Sequence, residues 1–101
     1  MDGFSLATPE QVSQSLAARV KALRLARGWK QATLAQRSGV SLASLRRFEE
    51  SGKVSLQSLL DLAFALNRLD DFDVLFLGSP ASSLTELEAN EKRPTRKRGR
   101  I

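Results

Sequence analysis

Residues 31–49 read Gln31-Ala32-Thr33-Leu34-Ala35-Gln36-Arg37-Ser38-Gly39-Val40-Ser41-Leu42-Ala43-Ser44-Leu45-Arg46-Arg47-Phe48-Glu49. The stretch predicts two short helices meeting at a tight turn. Ala35 is small enough to let the two helices approach. Gly39, four residues on, suits a turn residue with positive φ. Ser41 caps the second helix, and Val40, Leu45 and Phe48 lock that helix at a fixed angle through its inner face. With Leu45 and Phe48 inward, Leu42, Ala43, Arg46, Arg47 and Glu50 point outward, flanked by Ser41 and Ser44.

Upstream, Thr8-Pro9-Glu10-Gln11 reads as a helix start. Thr8 caps, Pro9 fits the first helical position and Gln11 completes a capping box. Val12, Leu16, Val20 and Leu23 recur on one face, and Gly28 stops a first helix over about 9–27. Trp29, beside that helix, reads as core. A second helix runs from Lys30 to Arg37, and a third from the Ser41 cap to Ser51-Gly52. Ser55 caps a fourth, running through Leu66 with Asn67 as its C-cap. Leu59, Leu60, Leu62, Ala63, Phe64 and Leu66 make it apolar almost all round, which predicts burial on several sides. Asp70 caps a short fifth helix, with Asp71 and Asp73 at its positive end and Phe72, Leu75 and Phe76 as its apolar face. The expectation is an all-α domain of five helices over residues 8–78. After Gly78 the composition turns to Ser, Pro, Ala, Glu and finally Arg/Lys, so residues 79–101 are expected to form a flexible C-terminal extension.

The 101 residues suit one domain. With no cysteine and no histidine, disulfides, thiolate metal sites, a cysteine nucleophile and the commonest general base are excluded. No metal site, no cofactor and no enzymatic activity are expected; Asp70, Asp71 and Asp73 read as caps and a solvated face. Met1-Asp2-Gly3-Phe4-Ser5 lacks the basic start of a signal peptide, and no apolar run approaches the ~20 residues of a membrane span. A soluble, cytoplasmic, nucleoid-associated protein is expected. The net charge of +5 hides a pattern. Residues 19–53 carry nine cations against Glu49 and Glu50, residues 54–91 sum to −6, and residues 92–101 carry +6. Basic blocks on both sides of an acidic one are more informative than the total.

A glycine turn between two short helices, within a basic block, describes a helix-turn-helix, whose second helix projects into a major groove. From about Arg19 to Phe76 the chain resembles the lambdoid-phage-repressor-like (Xre) helix-turn-helix family, with one extra residue near Ser51-Gly52. The resemblance implies a structural ion pair between Arg24 and Glu49. It also implies a phosphate contact by Gln31 at the opening of helix two, and base-reading side chains at Leu42, Ala43 and Arg47. Arg46 shares that outer face and is taken as a base reader too. An arginine fork spans guanine O6 and N7, and Ala43 or Leu42 meets a thymine methyl. These residues depart from the family's glutamine readers. Lys30, Arg37, Ser41, Ser44 and Lys53 complete the expected phosphate contacts.

Helix four and the segment after it hold more apolar surface than a monomer of this size covers. Leu62, Phe64, Leu66, Phe72, Leu75 and Phe76 are therefore expected at a homodimer interface, as in repressors that read two half-sites. The phrase Leu69-Asp70-Asp71-Phe72-Asp73-Val74-Leu75-Phe76, a Ser/Pro segment and a Lys/Arg-rich end resemble HipB-like antitoxins. That implies operator DNA and a HipA-like toxin kinase as partners. The tail cations Arg93, Arg96, Lys97, Arg98 and Arg100 would either lie on DNA, fold onto the kinase or act as a solubilising end. The expected function is a dimeric, sequence-specific repressor, autoregulating as an antitoxin. The alternatives are a free-standing Xre-type regulator or a module that mainly holds a kinase inactive.

Overall fold

Thr8 opens the first helix with both halves of its capping box. Its Oγ1 accepts from the Gln11 N–H at 3.1 Å, and its own N–H donates to Gln11 Oε1 at 3.0 Å. The computed structural model describes residues 8–78. Within them α1 spans Pro9–Ala26, α2 Gln31–Ser38, α3 Leu42–Ser51 and α4 Leu56–Ala65, followed by a single 3-10 turn, Leu69–Phe72. The described residues contain no strand. The chain divides into two units between Asp70 and Asp71, and the four α-helices lie in the first.

Serine does for α3 and α4 what Thr8 does for α1. Ser41 Oγ accepts from the Ser44 N–H and Ser55 Oγ from the Ser58 N–H, each closing the first turn of its helix. Helix α2 differs: its N-cap, Lys30, gives no side-chain hydrogen bond to the first turn. Gly39 and Gly52 end α2 and α3 in the left-handed conformation, at φ 79° and 80°, and each donates its N–H back to the last turn. Arg27 is the C-cap of α1, and Gly28 follows it in the left-handed conformation at φ 71°, the stop expected there. Leu66, rather than Asn67, is the C-cap of α4, and Asn67 follows it with φ 60°.

The core is built from the inward faces of all four helices. Leu34, Leu45, Leu62, Leu66, Phe48 and Ala17 are sealed from solvent, with Val20, Ala35 and Val40 nearly so. Helix α3 packs on α1 and α2, and α2 packs on α4. The small Ala35 and the short Val40 sit in that cluster, as the turn between α2 and α3 requires.

The fifth element departs from the expected helix. Asp70 lies inside a four-residue 3-10 turn instead of capping an α-helix. Aspartates at 70, 71 and 73 are poor helix-interior residues because their side chains compete for backbone hydrogen bonds, and a segment this short carries little helical stability of its own. Two further turn bonds follow, Leu75 N–H to Phe72 O and Leu77 N–H to Val74 O, each 3.3 Å.

The interface expectation is corrected at two of its six positions. Leu62 and Leu66 are 0% exposed inside the first unit and have no surface to offer a partner. Phe64 is 73% exposed; Leu75 and Phe76 are exposed and Phe72 is half-buried. The apolar girth of α4 thus divides into an inner side through Leu62, Ala63 and Leu66 and an outer side carrying Leu56 and Phe64. No helix among the described residues is long and apolar enough to cross a membrane. The expectations for the start at 1–5 and for the tail, with Arg93, Arg96, Lys97, Arg98 and Arg100, lie outside the described residues.

Gly39 and Gly52 share a backbone conformation but not a neighbourhood. A Cβ on Gly39 would meet nothing within 4 Å, whereas one on Gly52 would lie 3.0 Å from the backbone of Ser13 and Gln14 in α1. Gly39→Ala should therefore cost about 1 kcal/mol, the left-handed penalty alone. Gly52→Ala should cost about 3 kcal/mol, because helix backbone cannot swing aside. Urea midpoints of the two variants at unchanged slope check the difference.

Candidate nucleic-acid interface

Helix α3 turns two different faces to its surroundings. Leu45 and Phe48 are buried beneath it, while Ala43, Ser44, Arg46, Arg47 and Glu50 are exposed. Ser41 Oγ also donates to Ser44 Oγ at 2.9 Å, so the two serines form a small polar cluster on the first turn. Leu42 is half-buried and packs against the core. Only part of its side chain is left to touch a base edge. The outer face therefore presents two guanidinium groups and the Ala43 methyl, a set able to read guanine and thymine edges in a major groove.

One ion pair fixes how α3 sits. Arg24 from α1 meets Glu49 from α3 in a two-pronged contact, Nε to Oε2 at 2.8 Å and Nη2 to Oε1 at 2.9 Å. Both side chains are almost fully buried. The third guanidinium nitrogen of Arg24 donates to the Trp29 carbonyl at 2.9 Å. Gln31, the first residue of α2, donates its Nε2 to Glu49 Oε1 at 2.9 Å. The carboxylate thus joins α1, α2 and α3, and Arg24 ties the bend after α1 to the same cluster. Burial on its own would raise the Glu49 pKa. The hydrogen bonds from Arg24 and Gln31 and the charges of Arg24 and Lys21 outweigh that and hold it below the usual glutamate value.

The expected phosphate contacts separate into groups. Lys30 is exposed at the N-cap of α2 and takes no part in side-chain capping. The Gln31 side chain is engaged with Glu49, so what this residue has to offer a phosphate is the backbone N-terminus of α2. Arg37 stacks its guanidinium over the Trp29 ring at 4.5 Å from the centroid, and Arg27 lies at 5.4 Å from the same ring. Trp29 itself is half-buried, packed on the core but not enclosed by it.

Lys53 joins Ser44 and Arg47 along a groove of about 370 Å³, together with Val54, Ser55 and Ser58. This groove brings the outer face of α3 beside the N-terminal turn of α4. The sequence marks Ser55 only as a helix cap and does not mark Ser58. The signal was present in the Ser55 cap, which puts a helix N-terminus two residues after Lys53.

A family model described as helix-turn-helix matches residues 20–72, just over half of the chain. No curated protein and no solved structure gives a significant match.

Replacing Glu49 by Gln leaves the buried Arg24 guanidinium without its counter-charge, and should cost on the order of 3 kcal/mol near neutral pH. The Glu49 pKa is lower folded than unfolded. The pair's contribution is therefore complete above the unfolded glutamate value of about 4.3 and is lost as pH falls through the lower folded value. Unfolding curves of wild type and Glu49→Gln should therefore draw together as pH falls below about 4.3. A gap that stays constant over that range would show that the charge of the carboxylate is not what the contact uses.

Proposed function

The chain belongs to the Xre-like helix-turn-helix family of DNA-binding regulators, and from that premise we propose that it is a sequence-specific repressor that binds operator DNA as a homodimer. The observation that carries the reading is α3, anchored on its inner side by Leu45, Phe48 and the Arg24–Glu49 pair and presenting Ala43, Arg46 and Arg47 outward. In this reading Arg47 and Arg46 contact guanine edges and Ala43 a thymine methyl, with the exposed edge of Leu42 beside it. Lys30, the N-terminal end of α2, Ser41, Ser44 and Lys53 hold the DNA backbone and set the register of α3. The protein works by contact and performs no reaction.

The homodimer reading is supported by the exposed apolar residues Phe64, Leu75 and Phe76. Two copies related by a twofold axis would present their α3 helices to half-sites about 34 Å apart. An autoregulating antitoxin role, with a HipA-like kinase as partner, rests on the resemblance of residues 69–76 and of the chain's layout to HipB-like antitoxins. Co-purification with a kinase encoded by an adjacent gene tests it. Failure to associate leaves the free-standing regulator. Association without operator binding leaves a module that only holds the kinase.

Selection of bound DNA from a random pool should return a palindrome with half-sites one helical turn apart. On that sequence Arg47→Ala should lower affinity about 5- to 150-fold, the worth of one bidentate base contact of about 1–3 kcal/mol, and should lower it far less on random DNA. Equal losses on both would make Arg47 a backbone contact.

Sedimentation at micromolar concentration should give a dimer, and Phe64→Glu should give a folded monomer, since this exposed ring contributes little to the protomer's own core. A wild-type monomer, with and without DNA, would refute the dimer.

A further inference from the structure

The bend between α1 and α2 is held in three ways, and only one involves the Arg24–Glu49 pair directly. The Trp29 main chain is fixed at both ends, its N–H donating to the Arg24 carbonyl at 3.1 Å and its carbonyl accepting from the Arg24 guanidinium. Arg27 donates through Nη2 to the carbonyl of Leu66, the C-cap of α4, and lies near the Trp29 ring. From the other side of the bend, Arg37 in the last turn of α2 reaches over that ring at 4.5 Å, the tighter of the two cation–π contacts. Trp29 is thus a hub that touches the end of α1, the last turn of α2 and, through Arg27, the end of α4. The residue after it is Lys30, and the next is Gln31, the start of the helix end assigned to phosphate.

We propose that Arg37 acts on DNA through Trp29 and not by contacting phosphate: it is a positioning residue that fixes the N-terminus of α2 by clamping the Trp29 ring. The inference rests on the DNA-binding reading above and assigns Arg37 a different role from the other cations of the basic block. A guanidinium stacked on an indole gains from the ring quadrupole and from planar contact. Leaving the ring for a phosphate would give up that contact and loosen the residue preceding Lys30.

Trp29 is the only tryptophan and the chain has no tyrosine, so its emission reports the stack without interference. The experiment compares Arg37→Ala and Arg37→Met in the full chain, measuring free-protein Trp29 emission and DNA affinity over a range of salt concentrations. Positioning predicts that Arg37→Ala shifts the emission and weakens DNA binding several-fold, with the salt slope within about 0.3 of wild type. Arg37→Met, whose uncharged thioether also packs on an aromatic ring, should recover most of the affinity and much of the emission. A phosphate contact predicts the opposite pattern: equal losses for both variants and a slope reduced by about 0.9. Unchanged affinity in both variants would also overturn the proposal. Wild-type protein that fails to bind any DNA would refute the DNA-binding reading instead. The emission shift of Arg37→Ala would still show whether the stack exists, and circular dichroism confirms that each variant is folded.

Discussion

The position of α3 depends on a carboxylate buried between three helices. Apolar packing through Leu45 and Phe48 keeps α3 against the core, but dispersion contacts are not directional and would tolerate small rotations of the helix about its axis. Glu49 removes that freedom. It meets Arg24 with two parallel hydrogen bonds, a geometry that only one orientation of α3 satisfies. Taking two charges out of water costs several kcal/mol for each ion, and the pair offsets this only because its remaining groups are also bonded: Arg24 donates to the Trp29 carbonyl, and the Glu49 carboxylate accepts from Gln31. The pair is therefore better understood as fixing geometry than as a large net source of stability.

That constraint explains the different fates of residues that look alike in sequence. Arg24, Arg37 and Arg47 all belong to one basic block. Arg24 is 6% exposed and spent on structure, Arg37 lies on an indole, and Arg47 is exposed along the groove with Lys53. Charge density alone makes the block suited to nucleic acid, but it does not say which of its cations is free to meet a partner. What sorts them is helix phase. Arg24 shares the inward stripe of α1 with Ala17 and Val20, whereas Arg47, two positions after Leu45 and one before Phe48, falls on the side of α3 turned away from both.

Features decided within a few residues were legible in the sequence. The Thr8–Gln11 capping box, the serine caps at 41 and 55 and the glycine stops at 39 and 52 each depend on a local hydrogen bond or a local φ, and each stands where the pattern puts it. The Arg24–Glu49 pair, separated by 25 positions, came from the family resemblance and not from any local signal. Helix α4 was legible as a helix but not as a facing. A segment apolar on nearly every side has no polar stripe to orient it, so Leu62 and Leu66 were indistinguishable from Phe64 until neighbouring helices claimed them. Arg37 on Trp29 was invisible for a related reason: a cation–π contact across a bend leaves no spacing rule. The acidic segment failed as a helix because its aspartates suit a helix start but not the turns that follow.

The same facing argument bears on why Phe64 remains outside. Turning α4 to bury Phe64 would expose Leu62 and Leu66, exchanging one ring for two fully buried leucines at a loss in apolar area removed from water. The Arg27 hydrogen bond to the Leu66 carbonyl opposes that rotation as well, since the carbonyl would leave the guanidinium. The exposed ring is therefore a consequence of a core already satisfied by other residues, not of poor packing. A ring left 73% open at the end of a helix adds apolar surface to the molecule that folding within one copy does not remove. This is the physical content of the expectation that a second copy covers it, and it places the burden of that expectation on Phe64 rather than on the leucines beside it.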